Sequence, residues 1–505
     1  MVNVDRNASA DSLLSVDEST PLTTTSNTFP ETDSHPNLIV LVPDDEDDID
    51  APFYLSDGDE EEVEYDAAQL DWLASSATPL STILVYLYLV SPFLGLGAMF
   101  IPDINALRPW MIAAVCAFAV LSTFARYVWY LLARYLRKIN LEDIVADAFA
   151  KGRTKERLRI KLRMAVRVGD WILKVLLAAL FLRVSVSLIL PLTPEGDLLS
   201  SRFFWTAILL LGVLPFSTAY SLASKRAVVP TILSVITYVA WFVCTTHSHG
   251  KGTLEASASW TAMGSLWDGI STAAFIFTAS STVSLYSSLK AGHLNHKHKT
   301  KTYQSFRTLL IVSAITSFAL ILPLAFFSSA PFSPDNAKKF PRLLRAILHV
   351  STLVLTLPQV LIKIPIIPLP FRSRRVTNAS VSHLVSAVAV FTLAAATPEF
   401  FRVLSNVTLV LTLAGTYLLP AAIHITLHNI RKPLSIILPP QAQSTQNAVE
   451  PSSSLNDPLL QRKERLLQRR RLYRRLIWDI GTWILLIPVG GGGLVWAGCR
   501  LAGKW

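Results

Sequence analysis

The sequence predicts an all-α polytopic membrane protein with eleven transmembrane helices, and three observations predict it. Of 505 residues, 51% are hydrophobic and 16% charged, with a mean hydropathy of +0.42, a balance suited to a chain whose core faces lipid as well as protein. The apolar residues gather in eleven runs: 80–101, 111–135, 171–190, 203–222, 228–245, 267–290, 305–327, 343–364, 381–397, 400–427 and 477–500. A hydrocarbon core of about 30 Å takes about 20 helical residues, which most of these runs supply; 381–397 is at the short limit. The third observation is that basic residues accumulate in every second loop between the runs.

Residues 1–75 are rich in Ser, Thr, Asp, Glu and Pro, with acidic runs at Asp44-Asp45-Glu46-Asp47-Asp48 and Asp59-Glu60-Glu61-Glu62. Such a segment buries too little apolar surface to offset chain entropy, so a disordered acidic tail is expected. The patch from Leu38 to Val42 makes it either a docking segment for a cytosolic partner or a solubilising tail. No early apolar core stands before the first run, so that helix itself is expected to serve as the targeting signal.

Loop charge then orients the chain. Residues Arg134 to Arg167 hold eleven basic side chains between runs two and three, Lys290 to Arg307 five between six and seven, and Arg372, Arg374 and Arg375 lie between eight and nine. The loop between ten and eleven adds Arg431, Lys432 and the stretch Arg462 to Arg475. All have the same parity, which places them and the N-terminus in the cytosol and Trp505 on the lumenal or extracellular side. Only 328–342, with Lys338, Lys339 and Arg342, dissents. The parts are thus an acidic tail at 1–75, a core of ten spans at 76–435, a cytosolic linker and basic segment at 436–476, and the last span with its short end at 477–505.

The formal charge of +10 sits in these loops, which argues for a lipid bilayer as partner and against nucleic acid. Cys116, Cys244 and Cys499 fall inside apolar runs and suit neither a disulfide framework nor a zinc cluster, while His293, His296 and His298 lack carboxylates or cysteines at ligand spacing. No metal and no organic cofactor is expected. Paired carboxylates, a Ser/His/Asp set and a phosphate-cradling glycine loop are not apparent at a membrane face, so no enzyme is expected.

Within the first run stands Gly95-Leu96-Gly97-Ala98-Met99-Phe100-Ile101-Pro102. Glycine removes a side chain and proline a backbone donor, weakening the helical ladder where the bilayer penalises loose polar groups most. Such a break either lines a cavity or is a kink packed against a neighbour. Ionisable groups in the spans raise further functional hypotheses. Asp103 reads as a protonatable gate or a helix cap; Arg126 and Arg183 require a carboxylate, carbonyl or water partner; Lys174, Lys363 and Arg134 read as reaching the headgroups. His349 reads as a group that titrates near neutrality or, as is commoner for a lone histidine on an apolar helix, a packing residue.

The Gly-x-Gly-x-x-x-x-Pro spacing resembles the first helix of the amino acid/auxin permease family, and further segments resemble it in order. These are Leu141-Glu142-Asp143-Ile144-Val145-Ala146-Asp147-Ala148-Phe149, Leu214-Pro215-Phe216-Ser217, Ala274-Phe275 through Leu289-Lys290, Leu355-Thr356-Leu357-Pro358 and Gly415-Thr416-Tyr417-Leu418-Leu419-Pro420-Ala421. Together they cover about residues 76 to 435. The resemblance implies a LeuT-like 5+5 inverted repeat plus one extra helix, with helices one and six broken around the substrate site. It also implies a permease moving amino acids by alternating access in a vacuolar or other endomembrane; the rival is a transporter-like sensor or scaffold without net transport.

On that resemblance the candidate substrate-binding residues are Gly95, Leu96, Gly97, Ala98, Phe275, Thr278, Ala279, Ser280 and Ser281, and the candidate cation-coupling residues are Ser91, Thr356 and Asp103. Sodium-coupled members commonly carry asparagine where this chain has Ser91, which shifts the expectation from sodium toward the proton or exchange, with sodium as the alternative.

Overall fold

The computed structural model describes residues 78–103, 108–136, 138, 140–150, 155–193, 201–219, 221–251, 265–278, 282–295, 305–327, 339–365, 378–430 and 476–501. The acidic tail and the linker with its basic stretch lie outside them. Among the described residues all regular structure is helical and no strand occurs, and eight helices are long and apolar enough to cross a membrane.

The first apolar run begins at Ser81, whose extended backbone and side chain, accepting from the Leu84 N–H at 3.4 Å, start helix α1, Thr82–Val90. A short piece, α2 (Leu96–Phe100), follows after an interruption. Next come α3 (Arg108–Leu136), the amphipathic α4 (Leu141–Phe149) and α5 (Glu156–Ile189). At 34 residues α5 is about 51 Å long, far more than the hydrocarbon core, so its first turns project beyond it. There Arg167 grips Glu142 through two hydrogen bonds of 2.6 and 2.9 Å, Arg163 pairs with Asp143 at 2.8 Å and Arg159 with Asp147. Arginines spaced four residues apart on α5 thus clamp α4, while Ile144, Val145 and Ala148 bury the opposite face.

The order continues with α6 (Arg202–Ser217), α7 (Lys225–Gly250), α8 (Ser265–Ile276), α9 (Thr282–Asn295), α10 (Phe306–Ile321), α11 (Lys339–Ile362), α12 (Asn378–Ala395) and α13 (Pro398–Leu413). A wider π turn, Ala414–Leu418, joins α13 to α14 (Leu419–Ile425) just before Pro420, which brings no N–H to a regular ladder. Residues 476–484 form α15, and the π turn Leu485–Gly491 leads to α16 (Gly492–Leu501).

Three of the eleven expected runs fall outside the eight long apolar helices. The run 203–222 stops at Ser217, because the Ser217 and Thr218 hydroxyls bond the carbonyls of Leu214 and Pro215 and compete with helix continuation. The run 267–290 is divided between α8 and α9, and in 381–397 the apolar helix is Ser382–Ala395.

A core cluster, apart from the one that holds Ile144, Val145 and Ala148, almost wholly buries Phe93, Leu96, Met99, Leu182, Phe277, Leu357 and Tyr417. Helix α11 packs on α5 and α7, and α8 packs on α3 and α2. The outward faces are apolar too, with Ile83, Val120, Leu211, Val243 and Ile315 exposed, as a lipid-facing surface requires.

Candidate functional site

Two helices are interrupted part-way. The first break begins upstream of the glycine pair. The α-helix ends at Val90, Ser91–Leu94 tightens to a 3-10 turn with Pro92 at its start, Gly95 departs from helical geometry at φ −89°, ψ −148°, and α2 resumes at Leu96. Proline withdraws a donor there, and the Ser91 hydroxyl donates across to Gln359 Oε1 of α11 at 2.9 Å, both residues buried. Pro102 falls later, in the closing turn Ile101–Asp103. In the second, α8 stops at Ile276, and both the N–H and the hydroxyl of Thr278 donate to the Phe275 carbonyl, at 3.2 and 2.7 Å. The helix restarts at Thr282.

The breaks meet. A Cβ on Gly97 would lie 2.6 Å from Ile276 Cγ1 and 3.2 Å from the Ile276 Cα and N, so glycine is what lets the two backbones touch. The Tyr417 hydroxyl, on the π turn, reaches over the end of α8 to the Phe277 and Ala274 carbonyls at 3.4 and 3.5 Å.

Beside the junction lies a cavity with about 900 Å³ of empty space, its open mouth included. Its wall is drawn from the first break, α5, the end of α8, α11 and the π turn after α13. Of the residues singled out in the sequence, Ser91, Gly95, Leu96, Gly97, Phe275, Thr278 and Thr356 line it. Ala98 is buried in the core and not among the lining residues. Ala279, Ser280 and Ser281 lie outside the described residues, as does the side chain of Asp103. The Thr356 hydroxyl donates within its own helix, nearest to the Leu353 carbonyl at 2.7 Å.

Sequence reasoning missed Gln359, Phe181, Thr412 and Thr416, all of which line the cavity. The amide of Gln359, next to Pro358 in an apolar run, was the available signal. Lys174 and Lys363 also line it, correcting the expectation that they reach toward headgroups. The Lys174 ammonium is held inward by Asp170, one turn earlier at 2.6 Å, and by the Lys363 carbonyl; the Lys363 ammonium stands 5.5 Å above the Tyr88 ring.

The remaining wall is aliphatic and aromatic, through Leu173, Leu177, Phe181, Phe275, Ile276 and Val360. Among the described lining residues are two ammonium groups and no carboxylate; Asp170 compensates Lys174, and the charge of Lys363 favours a ligand that brings negative charge on an otherwise apolar body. Among the described residues no cluster of His, Cys, Asp and Glu could hold a metal ion.

Two more of the buried ionisable groups, Arg183 and His349, sit against aromatic rings. Arg183 donates to the Ala394 carbonyl at 3.0 Å and faces the Phe401 ring. His349 lies between the rings of Phe100 and Trp241, in keeping with its reading as a packing residue.

No protein-family model matches the chain, and no curated protein matches it.

Proposed function

We propose that this protein is a secondary transporter that carries amino acids across a membrane by alternating access. The observation that supports the reading best is the meeting of two interrupted helices at one cavity, where Gly97 lies against the Ile276 backbone. An uncoiled backbone inside a bilayer is tolerated where it is buried or lines a cavity, and its peptide groups are then available to a ligand.

In this reading the N–H groups of Leu96 and Gly97, which follow the first break, take the cargo's carboxylate, with Lys363 supplying positive charge. The carbonyls at the end of α8 take its ammonium group. An apolar cargo side chain packs on Phe181, Phe275 and Val360. The architecture we propose is the LeuT-like 5+5 repeat plus one helix. Its eleven spans are the eight long helices joined by α6, α12 and the divided α8–α9 pair. The N-terminus is cytosolic, the C-terminus opposite, and the membrane vacuolar or another endomembrane. The proposed coupling ion is the proton.

The test is uptake of radiolabelled amino acids into proteoliposomes at two pH values, with and without sodium. Accumulation that follows the pH gradient and ignores sodium is expected. Sodium dependence would overturn the proton assignment, binding without flux would make the protein a sensor, and neither binding nor flux would end the reading.

A further inference from the structure

Arg126 stands in mid-span on α3, ten residues and so about 15 Å from that helix's end at Leu136, which is half the thickness of a hydrocarbon core. It is 1% exposed. The partners its charge calls for are a carboxylate, a carbonyl or water, and it has none of these among the described residues. Its Nη1 donates to the Ser313 hydroxyl of α10 at 3.3 Å, a long bond, and that hydroxyl spends its own proton on the Leu310 carbonyl. One face of the guanidinium is covered by the Phe93 ring at 3.8 Å. Nε and Nη2 have no partner, and neither does the Ser122 hydroxyl, buried one turn earlier on the same face of α3.

The contrast with Arg183 shows that this chain can satisfy a buried guanidinium, since there a carbonyl is brought to 3.0 Å. An arginine in a span is costly even on insertion scales, and a buried donor left unmade adds to that. The identity of the unpaired atoms is informative. Nε–H and one N–H of Nη2 are parallel and form the side edge of the guanidinium, the edge that receives an oxyanion through two bonds or chelates a halide. The Ser122 hydroxyl offers a third donor from the same helix face. Around this edge the described contacts supply donors, a π face and a hydroxyl, and no negative charge.

We propose that the Nε/Nη2 edge of Arg126 is a binding site for a small anion, between α3, α10 and the 3-10 turn at Ser91–Leu94. Inorganic chloride and the carboxylate of a small organic acid or amino acid present the same chemistry to it. The site is separate from the cavity, whose lining does not include Arg126, and it stands whether or not amino acids are transported. Because Phe93 covers the guanidinium and also packs on Phe277 at 5.6 Å, an anion here would brace the first break against the end of α8.

The experiment is thermal unfolding of the full-length protein in nanodiscs of phosphatidylcholine, which offers no anionic headgroup, at constant ionic strength. Replacing the bulky sulfonate buffer anion MES, too large for a wholly buried edge, by chloride is expected to raise the melting temperature saturably by a few degrees, as a ligand that binds only the folded state must. Arg126→Gln is expected to abolish the rise and Ser122→Ala to weaken the apparent affinity severalfold. In a second arm, an amino-acid mixture replaces chloride in the same MES buffer. A rise there that Arg126→Gln removes, with no response to chloride, assigns the edge to a carboxylate and upholds the site. A wild-type protein indifferent to both overturns the proposal even if Arg126→Gln does not fold, and so does a variant that responds as the wild type does.

Discussion

The junction of the two interrupted helices and the clamp between α4 and α5 solve the same problem, holding backbone segments together, with opposite means. At the junction contact is made by removing matter: Gly97 lets two main chains approach, and the polar links are single bonds such as Ser91 to Gln359. At the clamp, three arginines meet three carboxylates on side chains between a fifth and two fifths exposed. Charge pairs work where water and counter-ions share the cost of desolvation, whereas in the apolar core steric fit and a few satisfied hydrogen bonds are cheaper. The clamp should therefore be tolerant and salt-sensitive, and the junction intolerant and indifferent to salt.

Four changes would break or sharpen that contrast. The largest effect is expected from Gly97→Leu, since even its Cβ would lie 2.6 Å from Ile276 Cγ1. Uptake should fall to background while the protein still inserts in the membrane, and unchanged uptake would mean that the junction is not the site. Next comes Gln359→Leu, which strands the buried Ser91 hydroxyl and should cost about 1–3 kcal/mol, read as a lower melting temperature. Adding Ser91→Ala should restore part of that loss, and strict additivity of the two changes would deny the bond.

At the clamp, Asp143→Asn should cost only about 0.2–1 kcal/mol, and the difference from wild type should vanish in 1 M salt. A penalty that persists at high salt would show the clamp to be a buried, desolvated pair. The smallest effect is expected at Gly415, where a Cβ meets nothing within 4 Å. Gly415→Ala should change the melting temperature little, about 0.5 kcal/mol in the stabilising direction. A large loss there would mean that glycine at the π turn is needed for close approach in another conformation.

Much of this was readable along the chain, though unevenly. The alternation of apolar runs marked nearly every helix, because the bilayer imposes a length and a composition that hydropathy counts directly. The glycine pair drew attention to the right segment, but the ladder opens four residues earlier, at Ser91 and Pro92, since the donor that proline removes matters before the side chain that glycine lacks. Local signals were weaker where two helices share one cause. Thr278 looked like one hydroxyl in a run of them, and its role in capping Phe275 exists only because α8 ends there. Lys174 looked like a lysine near a span's end, and only the neighbouring Asp170 and the carbonyl of Lys363 turn it inward.

The sequence by itself determined that the chain is a helical membrane protein and where its apolar stretches run, because those properties are sums over nearest neighbours in composition and charge. Only the tertiary structure decided that Gly97 faces Ile276, that Ser91 finds Gln359 and that Arg126 keeps one edge of its guanidinium unpaired. Each of those facts joins residues between 179 and 268 positions apart, or records the lack of such a partner, and no local periodicity carries the distance between helices.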